Sequence, residues 1–287
     1  MKHNRTVRIL LFAIATPVVF LVVAFFFLGG PGSREGNPLP VNPAGSILNF
    51  AHRGITVRYP ENSQESLGEA KRLGFRAVEF DLRKSADGEF ILFHDSDCRR
   101  MLGLNEPIKK IPVTGLKYYP LLMNGKKTSC FVPTLTDVFD RYSHDFIFYL
   151  DMKLSGFRDA DQIVEIIHRY GIESTCVVAS ADLLFVFYIK YRHPGILTAL
   201  EGYNAGKEWT YNLIPEDLKP DFLSGFLSRV DENHIRWLKR KELLSNRIVY
   251  GVDSSNYLSA RKMGLQNLIL DYDTVSQVFA KPKRINH

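Results

Sequence analysis

Eight short apolar runs, separated by stretches with helical spacing, constrain this chain more than any other feature. They fall at residues 47–52, 77–82, 146–151, 176–180, 196–200, 221–226, 247–252 and 267–271. Runs of this length, bounded by turn residues, read as strands buried on both faces, and helices between successive strands make them parallel. A ninth run, 90–94, follows the tight-turn signal Asp87-Gly88, so it returns antiparallel and stands outside the repeat. Helix signals sit where the pattern needs them. Asn62 or Ser63 can cap a helix that Gly74 ends, and Asp159 one that Gly171 ends. Thr134-Leu-Thr-Asp137 resembles a capping box with Asp in the Glu position, and Ser254 or Ser255 can start a helix that Gly264 ends. With 287 residues and 45% hydrophobic content, one large α/β domain is the expected class.

Within residues 51–95, polar side chains occupy positions that an apolar strand does not accept without compensation. The run Ala77-Val-Glu-Phe-Asp-Leu82 alternates, so Val78, Phe80 and Leu82 take one face and Glu79 and Asp81 the other. Two carboxylates on one face repel each other unless positive charge sits between them, and a hard cation is the usual answer. A two-residue loop at Asp87-Gly88 sets Ala86 against Glu89 and, counting back, Asp81 opposite His94. Glu79, Asp81 and His94 are therefore expected to point into one space. His52 ends the first strand, beside Arg53. Unpaired buried charge costs several kcal/mol, so the joint pattern points to metal-assisted phosphoryl chemistry. The acids hold a cation, the histidines move protons and the arginine grips phosphate. His144, His168 and His234 lie in helical or loop contexts away from these strand ends.

These segments resemble the glycerophosphodiester phosphodiesterase family, a group of metal-dependent (β/α)8-barrel hydrolases. The resemblance rests on His52-Arg53-Gly54, Pro60-Glu61-Asn62, Glu79-Phe80-Asp81, Asp87-Gly88 and His94-Asp95, in that order. Softer matches follow at Val132-Pro-Thr-Leu135, Asp151-Met-Lys153 and Asn267-Leu-Ile-Leu-Asp-Tyr272, and the likeness extends over roughly residues 47–280. It implies an α/β TIM barrel, which the eight runs match, with an extra hairpin strand. In a barrel the polar strand ends gather at the C-terminal face, where active sites sit. The resemblance further implies that Glu79, Asp81 and Asp151 hold one divalent cation, Ca²⁺ or Mg²⁺, and that Arg53 and Lys153 bind the substrate phosphate. His52 and His94 become the acid/base pair, with water or a neighbouring substrate hydroxyl as nucleophile. Glu61, Asn62 and Asp95 stand behind these as supporting residues. The family usually carries Glu where Asp151 stands, a shorter reach that bears on metal preference. The implied activity is hydrolysis of glycerophosphodiesters to an alcohol and glycerol phosphate. The alternatives are a phospholipase D-like enzyme acting on lysophospholipids and a catalytically silent barrel serving as a binding module.

Lys2, Arg5 and Arg8 precede a charge-free apolar stretch from Ile9 to Leu28, long enough to span a bilayer. The expected organisation is a cytoplasmic basic segment (1–8), a transmembrane signal-anchor helix (9–28), a flexible tether rich in Gly, Pro and Asn (29–46), and the barrel domain (47–287). The domain is then extracytoplasmic on a plasma or inner membrane, with secretion after signal cleavage as the alternative. Residues 96–131 form an insert with Pro107, Pro112, Pro120 and a basic, aromatic patch. It is expected to be a small lid or recognition element at the mouth, or a mobile excursion. Beyond residue 30 the chain carries 34 Lys and Arg against 31 Asp and Glu, too even a balance for a nucleic-acid partner. Cys98, Cys130 and Cys176 form no CxxC pair, and only the first two, both near the insert, are candidates for pairing with each other.

Overall fold

The computed structural model describes residues 47–271. The basic segment, the apolar stretch 9–28 and the tether lie outside the described residues. Among the described residues no helix is long and apolar enough to cross a membrane. In chain order the first half contains β1 (Leu48–His52), α1 (Gln64–Arg72), β2 (Ala77–Lys84), β3 (Phe90–Leu92), α2 (Arg99–Leu102), α3 (Val113–Leu116), β4 (Leu122–Met123), β5 (Lys126–Lys127), α4 (Leu135–Tyr142) and β6 (Ile147–Met152). The second half contains α5 (Phe157–Tyr170), β7 (Cys176–Ser180), α6 (Leu183–Arg192), β8 (Leu197–Leu200), α7 (Glu208–Tyr211), β9 (Phe222–Phe226), α8 (Glu232–Arg240), β10 (Arg247–Val252), α9 (Tyr257–Lys262) and β11 (Asn267–Leu270).

The strands β1, β2, β6, β7, β8, β9, β10 and β11 pair in that cyclic order, every pair parallel. Because β1 pairs with both β2 and β11, the sheet closes into an eight-stranded barrel. Alternation along each strand sorts side chains into two cores. Phe50, Tyr149, Ala179, Ala199, Phe222 and Ile269 fill the barrel interior. Val78, Phe80, Leu82 and Phe148 face outward and pack with Phe139, Ile163, Ile189 and Leu238 of the surrounding helices.

Three local expectations shift. The 87–88 loop is wider than two residues: Ser85 N–H donates to Glu89 O, and Gly88 closes the loop at φ +84°. Ser85 Oγ also bonds Asp87 Oδ1 and receives Glu89 N–H, which holds the wider turn. The register therefore moves by one residue. Leu82 faces Leu92, and the Phe93 N–H donates to Asp81 O, so Phe93 rather than His94 stands opposite Asp81. Helix α5 starts at Phe157 with Gly156 at its cap, leaving Asp159 in the first turn. Helix α9 starts at Tyr257, because the Asp253 carboxylate accepts from Ser255 and Asn256 N–H and holds 253–256 in a turn. The Thr134–Asp137 capping box and the Ser63 cap are present as expected.

The insert is folded. Cys98, Met101, Leu102, Ile108, Leu116, Leu121 and Cys130 form a separate buried cluster with Ile91 and Phe93 of the hairpin. Cys98 and Cys130 share that cluster as free thiols.

Candidate active site

The parity that fills the barrel interior, carried one step past the last apolar layer, assembles a polar mouth. His52 follows Phe50, Glu79 and Asp81 follow Ala77, and Asp151 and Lys153 follow Tyr149. Glu201 follows Ala199, and Asp271 follows Ile269. With Arg53, His94 and Tyr250, these residues (Asp81 just behind them) surround a cavity of about 380 Å³ at the C-terminal end of the barrel.

Glu79, Asp81 and Asp151 converge, with one carboxylate oxygen from each lying within 4.8 Å of the others. Burial and the charges of Asp81 and Asp151 push the Glu79 carboxyl up to about 8, against the pull of His52. Burial also raises Asp151, with repulsion from Asp81 adding to it and Lys153 opposing. Asp81 is buried too, yet Arg53, Lys153 and a hydrogen bond from Asn62 outweigh that burial and lower it. Arg53 Nε stands 3.0 Å from Asp81 Oδ2, and Asn62 Nδ2 donates to the same oxygen at 2.9 Å. Lys153 Nζ lies 3.1 Å from Asp81 Oδ1 without hydrogen-bond geometry, and it also contacts Asp151. This all-oxygen, acid-rich cluster, with an Asp81 oxygen that accepts no hydrogen bond, fits a hard divalent cation.

The histidines flank the acids, each braced by a carboxylate. His52 Nδ1 bonds Asp271 Oδ1 at 2.7 Å, and its Nε2 lies 3.7 Å from Glu79 Oε2. Burial pulls the His52 pKa down, but Glu79 and Asp271 prevail and raise it. His94 Nδ1 bonds Asp95 Oδ1 at 2.8 Å. Asp95 is held near 2, because its bonds from Arg100 and His94 outweigh burial. Arg100, on α2 of the insert, reaches Asp95 through Nε at 2.7 Å and grips both Glu61 oxygens at 2.7 and 2.8 Å. Glu61 in turn receives Arg53 Nη1 at 2.9 Å. The supporting residues thus divide: Asn62 steadies Asp81, Asp95 steadies His94, and Glu61 steadies Arg53, away from the carboxylate trio.

Backbone strain fixes the loop after β1. Arg53 and Asn62 hold φ at 55° and 58°, and Gly54 holds +81° with Ser66 so close that a Cβ would lie 2.4 Å from its Oγ. The Arg53 N–H donates to Glu79 O and Oε2, tying this loop to β2. Glu201, Asp271 and Arg100 escape the reading of the sequence. Glu201 accepts from Tyr149 OH at 2.9 Å, and burial beside Asp151 pushes it up to about 8. Extending the interior parity of β8 and β11 by two residues would have found the first two. Arg100, in an insert without a period, left no such signal.

Fold and site define a (β/α)8 barrel whose mouth joins a cation-ready carboxylate trio to two braced histidines and two cationic side chains, Arg53 and Lys153. Residues 52–184, just under half of the chain, match the model of the Glycerophosphoryl diester phosphodiesterase family, the family that the sequence motifs resemble. It is 24% identical over 163 residues to a glycerophosphodiester phosphodiesterase of Bacillus subtilis, covering 53% of each chain. It is 22% identical over 191 residues to glycerophosphodiester phosphodiesterase 1 of Bos taurus, covering 64% of this chain and 57% of that one. The match spans about half the length of such curated relatives. An Oleispira antarctica phosphodiesterase solved with the product sn-glycerol-3-phosphate shares the fold. Its TM-score is 0.70 at 23% identity, over 81% of this chain and 96% of that one.

Proposed function

We propose that this chain hydrolyses glycerophosphodiesters to an alcohol and a glycerol phosphate, with one divalent cation, Ca²⁺ or Mg²⁺, at Glu79, Asp81 and Asp151. The observation that carries the reading is the pairing of two carboxylate-braced histidines with that acid trio in one cavity. Held there, the cation supplies positive charge to the phosphoryl oxygens. Arg53 offers a planar fork to the phosphate and Lys153 a point charge, both already drawn to the cavity by its acids. Asp271 and Asp95 accept from Nδ1 of their histidines, which leaves each Nε2 as the proton-transfer atom. One histidine removes a proton from the attacking water, or from a neighbouring substrate hydroxyl whose cyclic phosphate water then opens, as the attacking oxygen bonds to phosphorus. The other protonates the alcohol oxygen as the ester P–O bond breaks.

Chelation tests the metal. EDTA is expected to abolish hydrolysis of glycerophosphocholine and added Ca²⁺ or Mg²⁺ to restore it, and full turnover in exhaustively chelated protein rejects the assignment. His52→Ala and His94→Ala should each lower kcat by about 10²–10⁴-fold with the fold intact by circular dichroism. A protein that binds glycerophosphodiesters yet turns over none of them is the silent binding module instead.

A further inference from the structure

Positive charge gathers on the insert. Residues 96–131 carry seven Lys and Arg against two Asp and Glu, whereas the rest of the described chain carries 23 against 27. Lys109, Lys110, Lys117, Lys126 and Lys127 are exposed, and none of them joins an ion pair among the described residues. Aromatic rings stand in the same segment: Tyr118 is 82% exposed, Phe131 42% and Tyr119 38%. The insert has its own buried cluster, so a folded lobe presents these groups to solvent. That lobe adjoins the mouth, because Arg100 bonds Asp95 behind His94 and Glu61 behind Arg53. The chain enters the barrel at Leu48, at the N-terminal end of β1 and so opposite the mouth.

We propose that residues 96–131 form a docking surface for an anionic phospholipid bilayer and turn the mouth of the barrel toward it. Ammonium groups meet lipid phosphates, while tyrosine and phenylalanine rings enter the headgroup layer. Five unpaired lysines on one lobe repel each other, and an anionic surface relieves that repulsion. Each lysine brought to such a surface strengthens the association by about five-fold. An anchor preceding β1 would hold the protein at a bilayer from the end opposite the mouth, and the insert then decides which end faces the lipid. A polyanion such as a nucleic acid would extend beyond the insert onto a barrel with more acids than bases, whereas a bilayer meets the lobe alone. The docking stands apart from the phosphodiesterase reading, since none of these lysines lines the reaction cavity.

The experiment reconstitutes the full-length protein in vesicles of phosphatidylcholine alone and of phosphatidylcholine with increasing phosphatidylglycerol. An environment-sensitive thiol-linked fluorophore on Tyr118→Cys reads contact with the bilayer. The same fluorophore on Glu165→Cys, in the exposed face of α5, is the control, and Cys98, Cys130 and Cys176 are buried. The expected results are a signal at position 118 that rises with phosphatidylglycerol content and falls at high salt, and a flat signal at position 165. Lys109→Gln with Lys110→Gln should lower the docked-to-undocked ratio by about ten-fold or more. The same pair should leave the thermal midpoint and the hydrolysis of glycerophosphocholine in detergent solution unchanged. An equal signal in phosphatidylcholine alone overturns the inference, as does an equal response at both labelled positions. A glutamine pair that docks as the parent does also overturns it. So does an oligonucleotide that moves the signal at position 118 where phosphatidylglycerol does not, because the partner is then a nucleic acid.

Discussion

Nδ1 of His52 and Nδ1 of His94 each meet a carboxylate, and the two braces have different origins. Asp271 stands just past β11 inside the barrel, whereas Asp95 is itself held by Arg100 of the insert. Through Glu61, the same guanidinium also steadies Arg53. Replacing Arg100 would free His94 through Asp95 and Arg53 through Glu61, the groups proposed to move a proton and to hold the phosphate, although Arg100 does not line the cavity. Arg100→Gln is therefore expected to lower kcat by about ten- to a hundred-fold, the usual range for residues that orient a site. Added guanidinium should restore part of the loss, a rescue that a merely structural role would not give. His234 makes the contrasting case. It is fully buried, bonds Glu208 at 2.7 Å, stacks on Trp237 and does not line the cavity. His234→Ala should cost about 1–3 kcal/mol of stability in chemical denaturation and leave kcat unchanged. Burial holds the His234 pKa below its ordinary 6.5. The unfolded chain thus takes up the proton first, and stability falls as the pH drops below about 6.5. Bonds from His234 and Gly206 outweigh burial and lower Glu208, which adds a further loss as its carboxylate protonates at lower pH. The alanine variant should show a flatter melting curve against pH between 7 and 5. His52, Glu79 and Asp81 were legible because strand alternation gives each a direction, whereas His94 lies past the end of β3 and the register that set it opposite Asp81 was off by one residue. Arg100 was not legible, since nothing periodic sets the direction of a side chain in a four-residue helix.

At the scale of elements, legibility follows local chemistry. The Thr134–Asp137 box could be read because both partners lie within one turn and answer each other's backbone N–H. Thr134→Ala should cost about 0.5–2 kcal/mol and shift the thermal midpoint without touching kcat. The hairpin misled by one residue because Asp87-Gly88 names a turn but not its length, and Ser85 widens the loop through its own hydroxyl. The insert hid its order for another reason. Its helices Arg99–Leu102 and Val113–Leu116 are single turns, too short for a period, and its stability comes from apolar residues spread from Ile91 to Cys130. The starts of α5 and α9 moved by one to three residues because a carboxylate near a helix start can cap it, join its first turn or hold a preceding turn, and only tertiary context decides.

At the scale of the molecule, barrel closure and site assembly are the same event. The first and last strands of the barrel meet, and their ends bring His52 to Asp271. The carboxylate trio bridges neighbouring β2 and β6, whose register sets Asp81 beside Asp151. The eight-strand count was legible because each run is short, apolar and bounded, but which strand ends share a cavity depends on closure. Glu79 and Asp151, both raised by burial and by neighbouring acids, work against folding, and Glu79 is pushed up to about 8. A cation bound only by the folded barrel should reverse this. At a hundred times its dissociation constant it adds about 2.7 kcal/mol, visible as a rise in the thermal midpoint that EDTA removes. Glu79→Gln separates the two contributions. The amide oxygen can still accept the Arg53 N–H, so the chelated variant should be at least as stable as the chelated parent, which must either protonate Glu79 or bury its charge. The same variant should lose most of the Ca²⁺- or Mg²⁺-dependent rise. A full metal-dependent rise in Glu79→Gln would place the cation elsewhere.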